Sequence, residues 1–173
     1  MRAKQKLLAI AALFVVLVPP PCFSCPVEVA FSPNDGATEL VVRTIDSAKT
    51  SVRVAAYSFT SKPIAQALLA AHRRGVDVRV VVDKSNVTAR YTAATFLANM
   101  GVPVRVDFRY RIMHDKFTVI DGVALETGSF NYTQAAASNA ENVIILHDPA
   151  VAQRYGQEWD RLWGESEQMK ARY

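Results

Sequence analysis

The segment from Ile112 to Asn131, IMHDKFTVIDGVALETGSFN, brings an imidazole, an ammonium, a hydroxyl and a carboxamide into one short stretch. Side chains alternate across an extended strand, so His114, Lys116 and Thr118 share a face. Asp121-Gly122 between two apolar runs predicts a hairpin whose two-residue turn pairs Ile120 with Val123. Counting outward sets Thr118 opposite Leu125, Lys116 opposite Thr127 and His114 opposite Ser129, with Asn131 diagonal to His114. Opposed side chains on one face lie about 4.5–5.5 Å apart.

That inventory suits attack on a phosphodiester. A neutral imidazole nitrogen can attack phosphorus while Lys116, Ser129 and Asn131 hold the non-bridging oxygens as charge accumulates. A metal could supply the same electrostatics, but one histidine without a nearby carboxylate pair is a poor metal site, so no metal is expected.

His114, Lys116, Asp121, Gly128, Ser129 and Asn131 reproduce the pattern H-x-K-x4-D-x6-G-S-x-N of the phospholipase D superfamily. With AYSFT (Ala56 to Thr60) and GVDVRVVVD before the motif, the chain resembles the small bacterial EDTA-resistant endonucleases of that superfamily along nearly all its mature length. The resemblance implies a phospholipase D-type α/β fold and a covalent phosphohistidine route. It further implies non-specific cleavage of DNA, with RNA left open, and no metal cofactor. In such enzymes two motif copies build one site, one histidine attacking and the other protonating the leaving oxygen. This chain has one copy, so a two-fold homodimer with both His114 side chains at the interface is expected. The same resemblance makes Glu141 the carboxylate that orients a histidine through its other ring nitrogen.

The same motif serves phospholipases, so hydrolysis of a lipid phosphodiester is the alternative activity. A non-catalytic binding module is a third reading, and intact His114, Lys116 and Asn131 argue against it. Asp121 belongs to the catalytic signature, yet Asp before Gly is what a tight turn wants, so its expected role is indirect. Gly128 could serve close backbone approach, Ser129 cross-strand pairing, and Asn131 the cap of a helix at 133–137. Arg109, Tyr110 and Arg111 form a basic, aromatic-interleaved run suited to tracking a phosphate backbone, or alternatively a solvated edge. His72 and His147 read as surface residues, and Trp159 and Trp163 as packing.

Elements must then position these groups. Strand-like and helix-like segments alternate from Val27 onward, which points to a single α/β domain, a mixed sheet flanked by helices. Strands are expected at 27–31, 52–57, 76–83, 104–108 and 142–147. Helices are expected up to about residue 49, from Ser61 to Gly75, over 88–99 and from Pro149. Residues 51–83 form a βαβ unit with parallel strands. Basic residues followed by an apolar run from Leu7 to Val18 predict an export leader over 1–24, and thus a periplasmic or secreted domain over 25–173 without a stable membrane span. The leader carries three of the 20 basic residues and none of the 16 acidic ones, so the balance falls from +4 to +1. Net charge is therefore no argument for a polyanionic partner, and nucleic-acid binding must rest on a local patch. Cys25 would be a lone thiol after the leader is removed.

Overall fold

The computed structural model describes residues 26–88 and 92–170, so the leader expected over 1–24 lies outside the described residues. One eight-stranded mixed sheet runs through the molecule in the order β1-β7-β6-β5-β2-β3-β4-β8. The strands are β1 (Val27–Ser32), β2 (Ser51–Ala56), β3 (Asp77–Asp83), β4 (Val104–Asp107), β5 (Lys116–Ile120), β6 (Ala124–Gly128), β7 (Glu141–Leu146) and β8 (Glu167–Gln168). Helices α1 (Ala37–Asp46), α2 (Lys62–Arg73), α3 (Ser85–Thr88) and α4 (Ala93–Asn99) precede the central hairpin, and α5 (Pro149–Glu165) follows β7.

The expected βαβ unit is present: β2 and β3 are parallel neighbours, joined through α2. β3 carries Val78, Val80, Val81 and Val82 with no exposed surface, as a strand covered on both faces must. Val80 and Val82 pack with α1 and α2 residues such as Ile45, Ile64 and Leu68. Val81 faces the other way, onto Phe117, Leu125, Trp159 and Leu162. Trp159 is buried and its indole N–H donates to the Val54 carbonyl at 2.8 Å, which pins α5 to the middle of the sheet.

Capping follows from sequence as well. The Ser61 hydroxyl accepts from the Ile64 N–H, Pro63 sits in the first turn of α2, and Gly75 ends that helix region at φ 88°. Asp148 caps α5 by accepting from Ala150 at 2.8 Å and Val151 at 3.2 Å.

Three expectations are corrected. The single helix over 88–99 is two pieces, α3 and α4, the second begun by Thr92, whose hydroxyl accepts from Thr95 N–H. The helix at 133–137 is a short 3-10 turn, Ala135–Ser138, which Asn131 does not cap. The third correction concerns the hairpin. Asp121 (φ 52°) and Gly122 (φ 68°) do make the tight turn, and Val123 N–H donates to Ile120 at 3.0 Å. Val123 then drops out of the ladder, as an extra residue in a bulge does, and pairing resumes at Ile120 with Ala124. Thr118 consequently faces Glu126 rather than Leu125, and Phe117 rather than Lys116 faces Thr127. A one-residue slip exchanges the two faces of the partner strand.

Candidate active site

β5 begins only at Lys116, so His114 lies just outside the ladder and has no strand partner. Its loop is fastened by Tyr57 N–H donating to the Asp115 carbonyl at 3.0 Å and by Met113 N–H donating to Asp83 at 2.9 Å. The imidazole is exposed and lies against the Tyr57 ring, centroids 4.5 Å apart. Lys116 Nζ donates to the His114 carbonyl at 2.7 Å and sits 3.1 Å from His114 Nδ1, with the Tyr57 ring 5.4 Å away. Partial burial lowers the Lys116 pKa, while the Asp115 and Glu141 carboxylates oppose that shift.

Across the cleft, Gly128 is a steric requirement. A Cβ there would meet the Asn142 carbonyl oxygen at 2.2 Å, so β6 and β7 approach this closely only because residue 128 has no side chain. The following residues leave the ladder and turn into the pocket. The Ser129 hydroxyl donates to Glu141 Oε2 at 2.6 Å and accepts from Asn142 N–H at 3.1 Å. Asn139 Nδ2 holds the other Glu141 oxygen at 3.0 Å. The Asn131 side-chain oxygen is buried without a hydrogen-bond partner. A buried acceptor left unpaired costs about 1–3 kcal/mol, which a bound ligand's donor would recover. Turning the carboxamide over presents its NH2 group at the same place.

A cavity of about 410 Å³ gathers His114, Lys116, Ser129 and Asn131, with Thr127 and Gly128 in its wall. The predicted convergence of imidazole, ammonium, hydroxyl and amide therefore exists, although the register predicted for it does not. Ser129 is not the strand partner of His114; its hydroxyl is committed to Glu141, and the His114 ring contacts Lys116 instead. Glu141 makes no hydrogen bond to the histidine of its own chain among the described residues.

Asp121 stands at the opposite end of β5 from Lys116. Its carboxylate accepts from the backbone N–H groups of Lys49, Thr50 and Ser51 and from the Thr50 hydroxyl, at 2.8–2.9 Å. Partial burial pushes its pKa up, and those hydrogen bonds more than offset it, leaving the group below its ordinary value. It buttresses the hairpin and the start of β2. Of the basic run, Arg109 pairs with Glu165 at 3.4 Å, and Tyr110 lies under Arg161 with its hydroxyl donating to Glu165 at 3.2 Å. Neither lines the cavity; Arg111 is exposed and makes no ion pair among the described residues. His147 is a surface residue bonded to Glu28 at 3.1 Å, and Trp159 and Trp163 stack with ring centroids 5.0 Å apart.

Sequence reasoning missed two residues at the site and one buried polar cluster near it in the chain. Tyr57 is one; it lies in the AYSFT stretch, whose resemblance was visible without its role. Tyr155 is another, reaching the cavity from α5, and no spacing rule connects it to the motif. The third is a buried polar cluster: Glu126, 1% exposed, accepts from the Tyr132 hydroxyl, which in turn is 2.6 Å from Thr118 Oγ1. Burial raises the Glu126 pKa to about 7, despite the hydrogen bonds from Tyr132 and Thr118. Among the described residues no group of three or more His, Cys, Asp or Glu is placed to hold a metal ion. None of their helices is long and apolar enough to cross a membrane.

Comparison with known proteins agrees with this geometry. Residues 41–163 match the family described as cardiolipin synthase, PLD-like domain. The mitochondrial cardiolipin hydrolase of Xenopus laevis is 38% identical over 151 residues, 87% of this chain and 70% of that one. A phospholipase D of Rickettsia conorii is 38% identical over 134 residues, 77% of this chain and 67% of that one. Among solved structures, the phospholipase D family member Nuc from Salmonella typhimurium superposes with a TM-score of 0.81 at 42% identity, covering 84% of this chain and 98% of that one. NucT from Helicobacter pylori shares the fold, with a TM-score of 0.76 at 22% identity over 83% and 99% of the two chains.

Proposed function

The chain belongs to the phospholipase D superfamily and is a phosphodiesterase of it, and from that premise we propose that it is a metal-independent endonuclease acting on DNA, with RNA as a further polymer to test. The observation that carries the reading is the cavity in which His114, Lys116, Ser129 and Asn131 converge. A His114 ring nitrogen attacks phosphorus, a P–N bond forms, and the ester P–O bond breaks. Lys116 and the Asn131 amide stabilise the non-bridging oxygens, with the Ser129 hydroxyl beside them. A second imidazole protonates the departing oxygen, and the same group then deprotonates the water that hydrolyses the phosphohistidine.

One chain supplies one histidine to this scheme, so the second comes from a second copy across a two-fold axis. The surface around the cavity supports that assembly. Phe117, Thr127, Ile144 and Val29 are successive cross-strand partners and so share one face of the sheet. Phe117 and Thr127 line the cavity, and the row runs outward to Val27, Val29 and Phe31 on edge strand β1, each about half exposed at 52%, 52% and 53%. An apolar face on an edge strand is a liability unless a partner covers it. We assign it to the second copy. In such a dimer Glu141 is the carboxylate that orients a histidine, and the leader reading places the enzyme in the periplasm or medium.

The relatives named cardiolipin hydrolase and phospholipase D favour a second reading, in which the diester is that of a phospholipid. Plasmid DNA and cardiolipin vesicles, each in excess chelator, separate the two. The endonuclease reading expects plasmid nicking by wild type, none by His114→Ala, and phosphate trapped on wild-type protein. Cleavage of vesicles alone would overturn it, and loss of nicking in chelator would overturn the metal-free route.

A further inference from the structure

A second cavity, of about 500 Å³, opens between α2 and the start of α4, and the chemistry above makes no use of it. Of its described lining residues Ala65, Ala93 and Phe96 are apolar, and the others, Lys62 and Gln66 among them, are polar. Phe96 is 41% exposed, so one face of its ring is free to meet a ligand. Ala93, Ala94 and Leu97, on the inward face of the same helix, are buried. Lys62 and Gln66 lie one turn apart on the exposed side of α2, and Lys62 makes no ion pair among the described residues. Among the described residues no carboxylate lines the cavity.

This cavity is wired to the catalytic one. The backbone N–H groups of Thr60 and Ser61 donate to the Tyr132 carbonyl at 2.8 and 2.9 Å, and Tyr132 follows Asn131. The segment that begins at Tyr57, against the His114 ring, ends at Thr60 in the wall of the second cavity. Tyr57 and Ser58 form a bend, and three residues reach at most about 10 Å, so Thr60 lies within that distance of the residue that touches His114.

Resting on the endonuclease reading, we infer that this cavity is a base subsite: an unstacked nucleobase beside the scissile phosphate lies on the Phe96 ring, next to Ala65 and Ala93. Gln66 meets the edge of the base and Lys62 the adjoining phosphate. An exposed aromatic ring beside small apolar residues and polar neighbours suits a planar heterocycle, which needs a stacking face and edge hydrogen bonds together. An acyl chain would want an apolar lining, which Lys62, Gln66 and Thr60 do not provide. Stacking tolerates every base, so the subsite adds affinity without sequence preference, and it selects for polymer whose bases are unpaired.

The test compares a single-stranded oligonucleotide with bis(p-nitrophenyl) phosphate, a diester too small to reach both cavities. For Phe96→Ala, the ratio of kcat/KM on the oligonucleotide to that on the small diester should fall about tenfold, mainly through KM, with Phe96→Tyr restoring it. An abasic oligonucleotide should show the lower value already in wild type. An unchanged ratio in Phe96→Ala, or equal losses on both substrates, would overturn the subsite while leaving the endonuclease reading intact. A wild type that hydrolyses the small diester but no oligonucleotide would instead overturn that reading. If Phe96→Ala impairs cardiolipin vesicle hydrolysis and not oligonucleotide cleavage, the cavity holds an acyl chain and the base assignment is wrong.

Discussion

Replacing Glu126 by Gln should remove most of the pH dependence that one buried carboxyl imposes on folding. Glu126 is fully enclosed, its neighbours Thr118 and Tyr132 are neutral, and burial lifts its pKa from the ordinary 4.5 to about 7. A raised carboxyl binds its proton more tightly in the folded state than in the unfolded chain. Its contribution is therefore fully present below pH 4.5 and is lost as pH rises through about 7. At about 1.4 kcal/mol per pH unit between the two values, the charged form costs the fold about 3 kcal/mol. Gln keeps the size and the acceptor for the Tyr132 hydroxyl and carries no charge. Urea unfolding of both proteins at pH 5 and pH 8 should show the variant gaining about 2–3 kcal/mol relative to wild type between those conditions. Carboxylates whose pKa is held low, such as Asp77 and Asp121, titrate below this window and are common to both proteins, so they cancel. A stability gap that stays constant from pH 5 to 8 would refute the idea that Glu126 is neutral in the fold at acid pH and penalised at alkaline pH.

Other outcomes are expected. Gly128→Ala should lower stability by about 3 kcal/mol or more, since its Cβ meets a backbone oxygen at 2.2 Å that cannot move without parting β6 from β7; thermal unfolding reads this directly. Asp121→Ala should cost about 2 kcal/mol at pH 7 by stranding the N–H groups of Lys49, Thr50 and Ser51. Because the Asp121 pKa is held low, that loss should shrink as pH falls through the carboxylate range, and turnover per folded molecule should stay near wild type. When wild type is exchanged with His114→Ala subunits, activity should follow the square of the wild-type fraction, and a linear dependence would remove the shared site. Phe31→Glu should split the proposed dimer by charging its apolar face, with sedimentation as the readout.

Much of the molecule was legible because the signals are local. β3 announces itself as a run of β-branched residues, α2 by its Ser61 cap and Pro63, and the hairpin by Asp121-Gly122. The inventory of the candidate site was legible for the same reason, being crowded into one hairpin and the residues beside it. The register was not. Whether Val123 joins the ladder depends on how β5 docks on β2 and β6 on β7, and either alternative leaves the turn itself in place.

By itself, then, the sequence determined which groups gather at the candidate site, the alternation of elements and the parallel pairing of β2 with β3. Those follow from periodicity, capping and residue type, which act over a few neighbours. Only the tertiary structure decided what His114 touches. Its company is Tyr57 and Lys116 rather than Ser129, whose hydroxyl is held by Glu141 across the β6–β7 pair. The contact of His114 with Tyr57 and that of Ser129 with Glu141 are set by sheet docking and by the close approach that Gly128 permits, and neither leaves a periodic mark in the sequence.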